Sequence, residues 1–475
     1  MDNINIDISE TNRGKEQVVV NKKYKFNLSS KRKDNSKVYK CVEYKTSTKC
    51  PSLIILNDKN EVLKYNSKHE HLEKEHEATI SILKHKIKDE IRKNPVLFDV
   101  KPKRIFNKVS QEMGFICPEY DTIKSQITRN INKQLPSDIT TFDEIPDESE
   151  YYKTKRNESF MIFKNHNLLI FQSPFQAELF SKYCEDVFVD GTFFIAPSIS
   201  YQVFITRIYV KHLNSYYTTS FSILRNKEQE TYEILLEEIK KNVSKYNNNT
   251  EITPKYFHCD FERGISNAAE KVFPNSNIKY CIWHYKRALE KQKNKLCFNE
   301  VDDNKDLYIY YKFISNLSFI NPKYIYDIYN KILVECYEHN YVQFLVFLEY
   351  FKNTYLIRYE TKYWNYYNNV EHITNNASES YNNYLKSLFP KKPTFYKLLY
   401  KLQEEESLLY NDYERRIGGI WKKKQKKIGR TNEINALIKY YKNMETLLEK
   451  NGNNRKDFIE LWLKCLSDLN IKIIN

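Results

Sequence analysis

Between Phe160 and His284 the hydrophobic pattern changes period in a fixed order, and that order restricts the fold more than any other property of the chain. SFMIFKN and LLIFQ alternate as a small hairpin, PFQAELFSKYC has helical spacing, and DVFVD is an apolar run of strand length. SYQVFITRIYV and YYTTSFSIL read as a second hairpin, and Glu228 to Asn242 as an amphipathic helix. TPKYFHCD is then a strand, FERGISNAAEKVF a helix and IKYCIWH a further strand. The expected class is α/β.

Two acids stand where these β-rich runs stop, Asp190 in VFVDGTFF and Asp260 in KYFHCDFERG, so each projects from a strand end. A third, Glu379 in TNNASESYNNYLK, opens a segment that reads as helix. Carboxylates far apart in sequence that converge at such positions can hold two hard divalent cations against a phosphodiester. Taken singly, each has an ordinary alternative. Asp190-Gly191 is also a turn dipeptide, Asp260 also a helix N-cap, and Glu379, three residues after Asn376, also the acid of a capping pattern. Only 8 glycines occur, and Gly191 and Gly264 fall beside the two aspartates, where a missing side chain admits close approach of substrate.

A chain of 475 residues needs more than one core. Its net charge of +15 favours a polyanionic partner, although a lysine-rich codon bias gives the same balance. Nine scattered cysteines and no signal-peptide pattern point to a reducing compartment. No apolar run reaches the length of a membrane span; YVQFLVFLEYF is interrupted by Gln343 and Glu349.

Upstream, the first 30 or so residues are polar and basic and are expected to be unordered. VYKCVEY, SLIILND and EVLKYN read as three strands, followed by a His-rich turn. Cys41 and Cys50 with His69 and His71 supply the donors of a closed tetrahedral zinc site, with His76 as a spare, and a module this small has little core without metal. Helical spacing then runs to Lys133 in three segments broken at Gly114 to Pro118, either a helix-turn-helix or a helical connector. PSDITTFDEIPDESE reads as a linker. Leu289 to Val370 and Phe395 to Asn475 are helical throughout, the latter with the run WKKKQKK, a nuclear-targeting or phosphate-contacting signal or a solvated helix face.

The β-β-β-α-β-α-β order resembles the ribonuclease-H-like fold, in which the first and fourth strands are neighbours; that would bring Asp190 and Asp260 together. The span from about Asp186 to Lys386, with DGTF, HCDFERG, CxxH, a helical stretch and TNNxxES, resembles the catalytic domain of Mutator-like element (MULE) transposases. The resemblance implies a DDE triad at Asp190, Asp260 and Glu379 holding two Mg²⁺ or Mn²⁺ ions, with Asp190 bridging both. It also implies a CxxH pair, Cys281 and His284, near the scissile phosphate or flanking DNA, and an auxiliary aromatic, Trp364. Core packing is the alternative for Trp364, and a buried structural pair the alternative for Cys281 and His284.

Tyr39, the Cys50-Pro51 dipeptide and the HxH ending are similar to the FLYWCH and WRKY groups of zinc fingers, with tyrosine in place of the usual tryptophan. The implied layout is a disordered tail (1–30), a β-rich zinc finger (31–76), a helical DNA-binding region (77–135) and a linker (136–150). A ribonuclease-H-like catalytic core (151–288) follows, then an all-α insertion (289–370), the Glu-bearing helix (371–394) and a C-terminal helical region (395–475). The implied function is a nuclear DNA transposase, acting on double-stranded element ends and target DNA as a homo-oligomer and without a membrane. The alternative is a domesticated, non-catalytic DNA-binding regulator.

Overall fold

A computed structural model of the chain describes residues 4–11, 13–93, 98, 100–248, 251–368, 376–424 and 430–469, the side chains of 376–379, 430 and 431 excepted. The chain divides into two compact units, Met1–Ser137 and Asp138–Asn475, each taken by itself.

In the first unit, β1 (Ile6–Glu10), β2 (Glu16–Val20), β3 (Tyr24–Lys31), β4 (Lys37–Cys41), β5 (Leu53–Leu56) and β6 (Val62–Asn66) form one sheet in sequence order, every pair antiparallel. Helices α1 (Glu75–Lys93), α2 (Pro102–Met113) and α3 (Lys124–Asn132) follow at the spacing expected. Alternation assigns the two sheet faces: Val18, Val20, Phe26 and Tyr39 enclose one small core, while Val19 turns the other way to meet Ile82, Leu83 and Ile87 of α1. The expectation of an unordered tail over 1–30 is therefore corrected, since residues 6–10, 16–20 and 24–31 supply three of the six strands. Their polar residues hide a short alternation, IDIS, and a short apolar run, VVV, that become strands only when neighbours cover them.

The second unit is built on a seven-stranded mixed sheet. Its strands are β7 (Met161–Lys164), β8 (Leu168–Phe171), β9 (Asp186–Thr192), β10 (Gln202–Val210), β11 (Ser215–Leu224), β12 (Tyr256–Cys259) and β13 (Asn277–Tyr280), in the spatial order β13-β12-β9-β10-β11-β8-β7. The β13-β12-β9 edge is parallel and the rest antiparallel. The hairpins β7/β8 and β10/β11 lie as the alternation predicted. Helix α4 (Pro174–Tyr183) begins with Ser173 in a capping box with Gln176 and with proline in its first turn, the combination that satisfies the free N–H groups of a helix start.

Along β8, Leu168 and Ile170 enter one core and Leu169 and Phe171 the other, so the sheet is buried on both faces. The first layer holds α4, α5 (Gln229–Ser244) and α6 (Arg263–Val272). Its core continues into α7 (Ile282–Leu296), α8 (Phe298–Asp302), α9 (Lys305–Asn316), α10 (Ile325–Glu338), α11 (Val342–Phe351) and α12 (Thr361–Trp364). The second layer holds α13 (Asn376–Leu388) and the first half of α14 (Phe395–Ile417). Helices α15 (Arg430–Lys450) and α16 (Arg455–Asp468) return to the first-layer core through Ile438, Tyr441 and Trp462.

Two further expectations change. Residues 136–150 are not a free linker: Ile139, Phe142 and Ile145 are buried in the second layer, and Thr141 and Glu144 form a capping box that folds the strap back. IKYCIWH is not one strand, because β13 ends at Tyr280, Cys281 caps α7 and His284 lies in its first turn. The last ladder bond is Cys281 N–H to the Cys259 carbonyl, 2.9 Å, after which the chain turns helical. No described helix is long and apolar enough to cross a membrane. Residues 425–427 of WKKKQKK lie outside the described residues.

Candidate functional site

In the first unit, β4 ends at Cys41, Cys50 precedes β5, and His69 and His71 follow β6, so the sheet's own turns carry all four donors to one point. Cys41 Sγ lies 3.2 Å from His71 Nε2, Cys50 Sγ 3.5 Å from His69 Nδ1, and the two histidine nitrogens 3.2 Å apart. Ligand distances of 2.0–2.3 Å around tetrahedral zinc imply donor separations of about 3.3–3.6 Å, so this set fits the ion closely.

The other ring nitrogens fix the tautomers. His71 Nδ1 meets the Leu72 carbonyl at 2.9 Å, which leaves Nε2 for metal. His69 Nε2 meets Ser52 Oγ at 3.2 Å, and that hydroxyl donates onward to the Asn66 carbonyl, so it can accept from the imidazole and leave Nδ1 for metal. Tyr24 stacks on His69 with ring centres 3.6 Å apart. Burial pushes the Cys41 thiol up to about 12 and the His69 imidazole down to about 4.

In the second unit, β9 and β12 run parallel in the register Tyr256 to Asp186, Phe257 to Val187 and His258 to Phe188. Continued two residues, that register sets Asp260 level with Asp190 on strands about 4.8 Å apart. Val187, Val189, Phe257 and Cys259 enter the first-layer core, so Phe188, Asp190 and His258 face the second layer, and Asp260 follows directly after β12. Phe188 stacked on His258 at 4.4 Å confirms the shared face.

Helix α13 lies on that face. Its Tyr381, Leu385 and Phe389 are buried in the second-layer core, and Asn382 Nδ2 donates to Asp190 Oδ2 at 2.6 Å. Tyr381 and Tyr384 donate their hydroxyls to the two oxygens of Glu405 in α14, at 2.9 and 3.1 Å, while the buried Arg207 guanidinium from β10 lies 4.2 Å over the Tyr381 ring. Glu379 precedes Asn382 by one helical turn, but its side chain lies outside the described residues.

Asp260 Oδ1 lies 2.9 Å from His284 Nδ1. Burial opposes charge on that imidazole, but the Asp260 carboxylate and the Cys281 sulfur outweigh it and raise its pKa to about 11. Cys281 is buried at the start of α7. Trp364 is not an exposed auxiliary residue. It is wholly buried, stacks on Tyr285 and donates its indole N–H to the Tyr355 carbonyl at 3.0 Å, so it is core. Gly191 makes room within the protein: a Cβ there would meet Gln202 Oε1 at 2.3 Å.

Sequence reasoning missed Asn382, Arg207, Tyr381 and Glu405. For Asn382 the available signal was its three-residue spacing from Glu379, which puts both on one helix face. For the others no local pattern announces the contact.

Residues 187–288 match the model of the MULE transposase domain, and residues 8–71 that of the FLYWCH zinc finger domain. The first match contains Asp190, Asp260, Cys281 and His284, with Glu379 and Trp364 beyond it; the second contains all four zinc-type donors and reaches back into β1. The chain thus joins a FLYWCH finger to a MULE transposase domain, the composition of a transposase-derived DNA-binding protein. No curated protein matches the chain.

Proposed function

We propose that this chain, a FLYWCH finger followed by a MULE transposase domain, is a DDE transposase that cuts and joins DNA at element ends. The observation that carries this reading is the parallel pairing of β9 with β12, which directs Asp260, the residue after β12, toward Asp190, with the Glu379-bearing helix joined to Asp190 through Asn382. The mixed sheet and its strand order support a ribonuclease-H-like core, and the helices from α7 to α12 would be an all-α insertion separating that core from Glu379.

Asp190, Asp260 and Glu379 are the residues that would hold two Mg²⁺ or Mn²⁺ ions, since oxygen-only donors favour these over zinc. Such a pair, when bound, activates the attacking water or 3′-hydroxyl and stabilises the leaving oxygen. Asp190 would be shared between the ions, and Asn382 would fix its carboxylate in the sharing orientation. His284 would neutralise Asp260 in the metal-free state and be free to face phosphate once a cation displaces it. The finger, held by zinc on Cys41, Cys50, His69 and His71, would recognise element ends, with the net positive charge supplying salt-sensitive phosphate contacts. Action in the nucleus, as a homo-oligomer on DNA, completes the reading.

The test is cleavage of DNA carrying the element's own ends in Mg²⁺ or Mn²⁺. The parent protein should cut at the boundary, and Asp190→Asn, Asp260→Asn and Glu379→Gln should each abolish cutting while retaining DNA binding. A parent that binds the ends and cuts in neither metal is instead the non-catalytic regulator.

A further inference from the structure

We propose that Asp260, Cys281 and His284 form a second transition-metal site, taken by Zn²⁺ in preference to Mg²⁺. Its occupancy would withdraw Asp260 from phosphodiester chemistry; that consequence rests on the reading above, whereas the site itself does not.

One carboxylate oxygen, one sulfur and one imidazole nitrogen lie within 4.8 Å of one another. The backbone holds them there. Cys281 N–H is bonded to the Cys259 carbonyl, which ties the residue before Asp260 to the start of α7, and His284 follows Cys281 at the three-residue spacing that shares a helix face. A second observation points to a ligand: Asp260 Oδ1 and His284 Nδ1 are both buried atoms whose partner is each other, at 2.9 Å, an ion pair that a shared cation would replace. A shared cation would satisfy both. Small rotations opening that approach and closing on the sulfur would reach the roughly 3.3–3.6 Å separations of a zinc shell.

Donor chemistry decides the metal. A thiolate and an imidazole favour zinc, and magnesium prefers oxygen and water. Three protein donors leave a fourth position for water or another ligand. Zinc and the paired magnesium ions would compete for the same Asp260 carboxylate, so zinc would act as an inhibitor.

The experiment is zinc content of the full-length chain after equilibration with Zn²⁺ and gel filtration. The parent should retain two zinc ions per chain, one in the finger and one here. Cys281→Ser and His284→Ala should each retain one, while Asp190→Asn keeps two. One zinc in the parent, or two in both Cys281→Ser and His284→Ala, overturns the site; if the buried Cys281 variant fails to fold, the part-exposed His284 variant decides. In a second arm, the fold-loss of Mg²⁺-supported cleavage on adding Zn²⁺ should be smaller in His284→Ala than in the parent, and an equal loss overturns the inhibitory role. Absence of cleavage in every protein would count against the transposase reading and leave the zinc content to decide the site.

Discussion

Asn382 converts a helix position into an orientation of Asp190, and its removal separates positioning from ligation. A hydrogen bond to a charged group contributes about 1.5–3 kcal/mol, so Asn382→Ala should slow cleavage about 10- to 100-fold, with DNA affinity unchanged. Equal cleavage by variant and parent would show that the 2.6 Å contact does not matter to the chemistry. Behind it, burial raises the Glu405 carboxyl above its ordinary 4.5 despite two tyrosine donors. The folded protein therefore holds that proton to higher pH than the unfolded chain. Stability from this group is full below about 4.5 and falls as pH rises through the folded value. Glu405→Gln should flatten that decline in urea titrations across pH, and an unchanged slope would refute the assignment. Arg207→Met removes the nearby guanidinium that favours a charged Glu405, so the decline should extend to higher pH. Asp190 and Asp260 stand out in the sequence because they end apolar runs, although β9 continues past Asp190 to Thr192, whereas Arg207 in QVFITRIYV and Glu405 in a charged helix come near each other only through tertiary packing. Trp364 carried no signal that distinguishes a core indole from a DNA-facing one.

Among the elements, the strands with strong alternation and the long helices were readable, and the errors fell where an element depends on a covering neighbour. Strands β1 and β2 have only five residues each, and a polar setting disguises β1 to β3 until β4 and α1 cover them. The strap at 136–150 has an acidic composition but places Ile139, Phe142 and Ile145 in the core, a spacing of three that reads equally as loop or turn. Cys281 falls where ladder and helix meet, and element boundaries shift easily by a residue or more. The cluster of Cys41, Cys50, His69 and His71 was legible because its spacing is that of a zinc site, while the Ser52 hydroxyl beside His69 was not. Ser52→Ala should lower zinc affinity by about 10- to 100-fold in a competition titration with a chromophoric chelator. Unchanged affinity would mean that the 3.2 Å contact to His69 Nε2 plays no part.

On the proposed reading, recognition and chemistry lie in separate units. Its two compact units have their own cores, so Cys50→Ser should unfold Met1–Ser137 and leave the melting transition of Asp138–Asn475 in place. Zinc binding in small modules is worth on the order of 10–16 kcal/mol, more than a core of this size supplies. Sequence-specific end binding should be lost and weak, salt-sensitive DNA affinity kept. A single transition that shifts as a whole would contradict that separation. The most direct measurement is the anomalous diffraction of Mn²⁺ in crystals of the full-length protein, parent and Asp190→Asn. The account predicts manganese about 2.1–2.2 Å from carboxylate oxygens of both Asp190 and Asp260 in the parent, a distance typical of hard-cation ligation, and no such peak in the variant. Manganese bound elsewhere, with none between Asp190 and Asp260 in the parent, would contradict it.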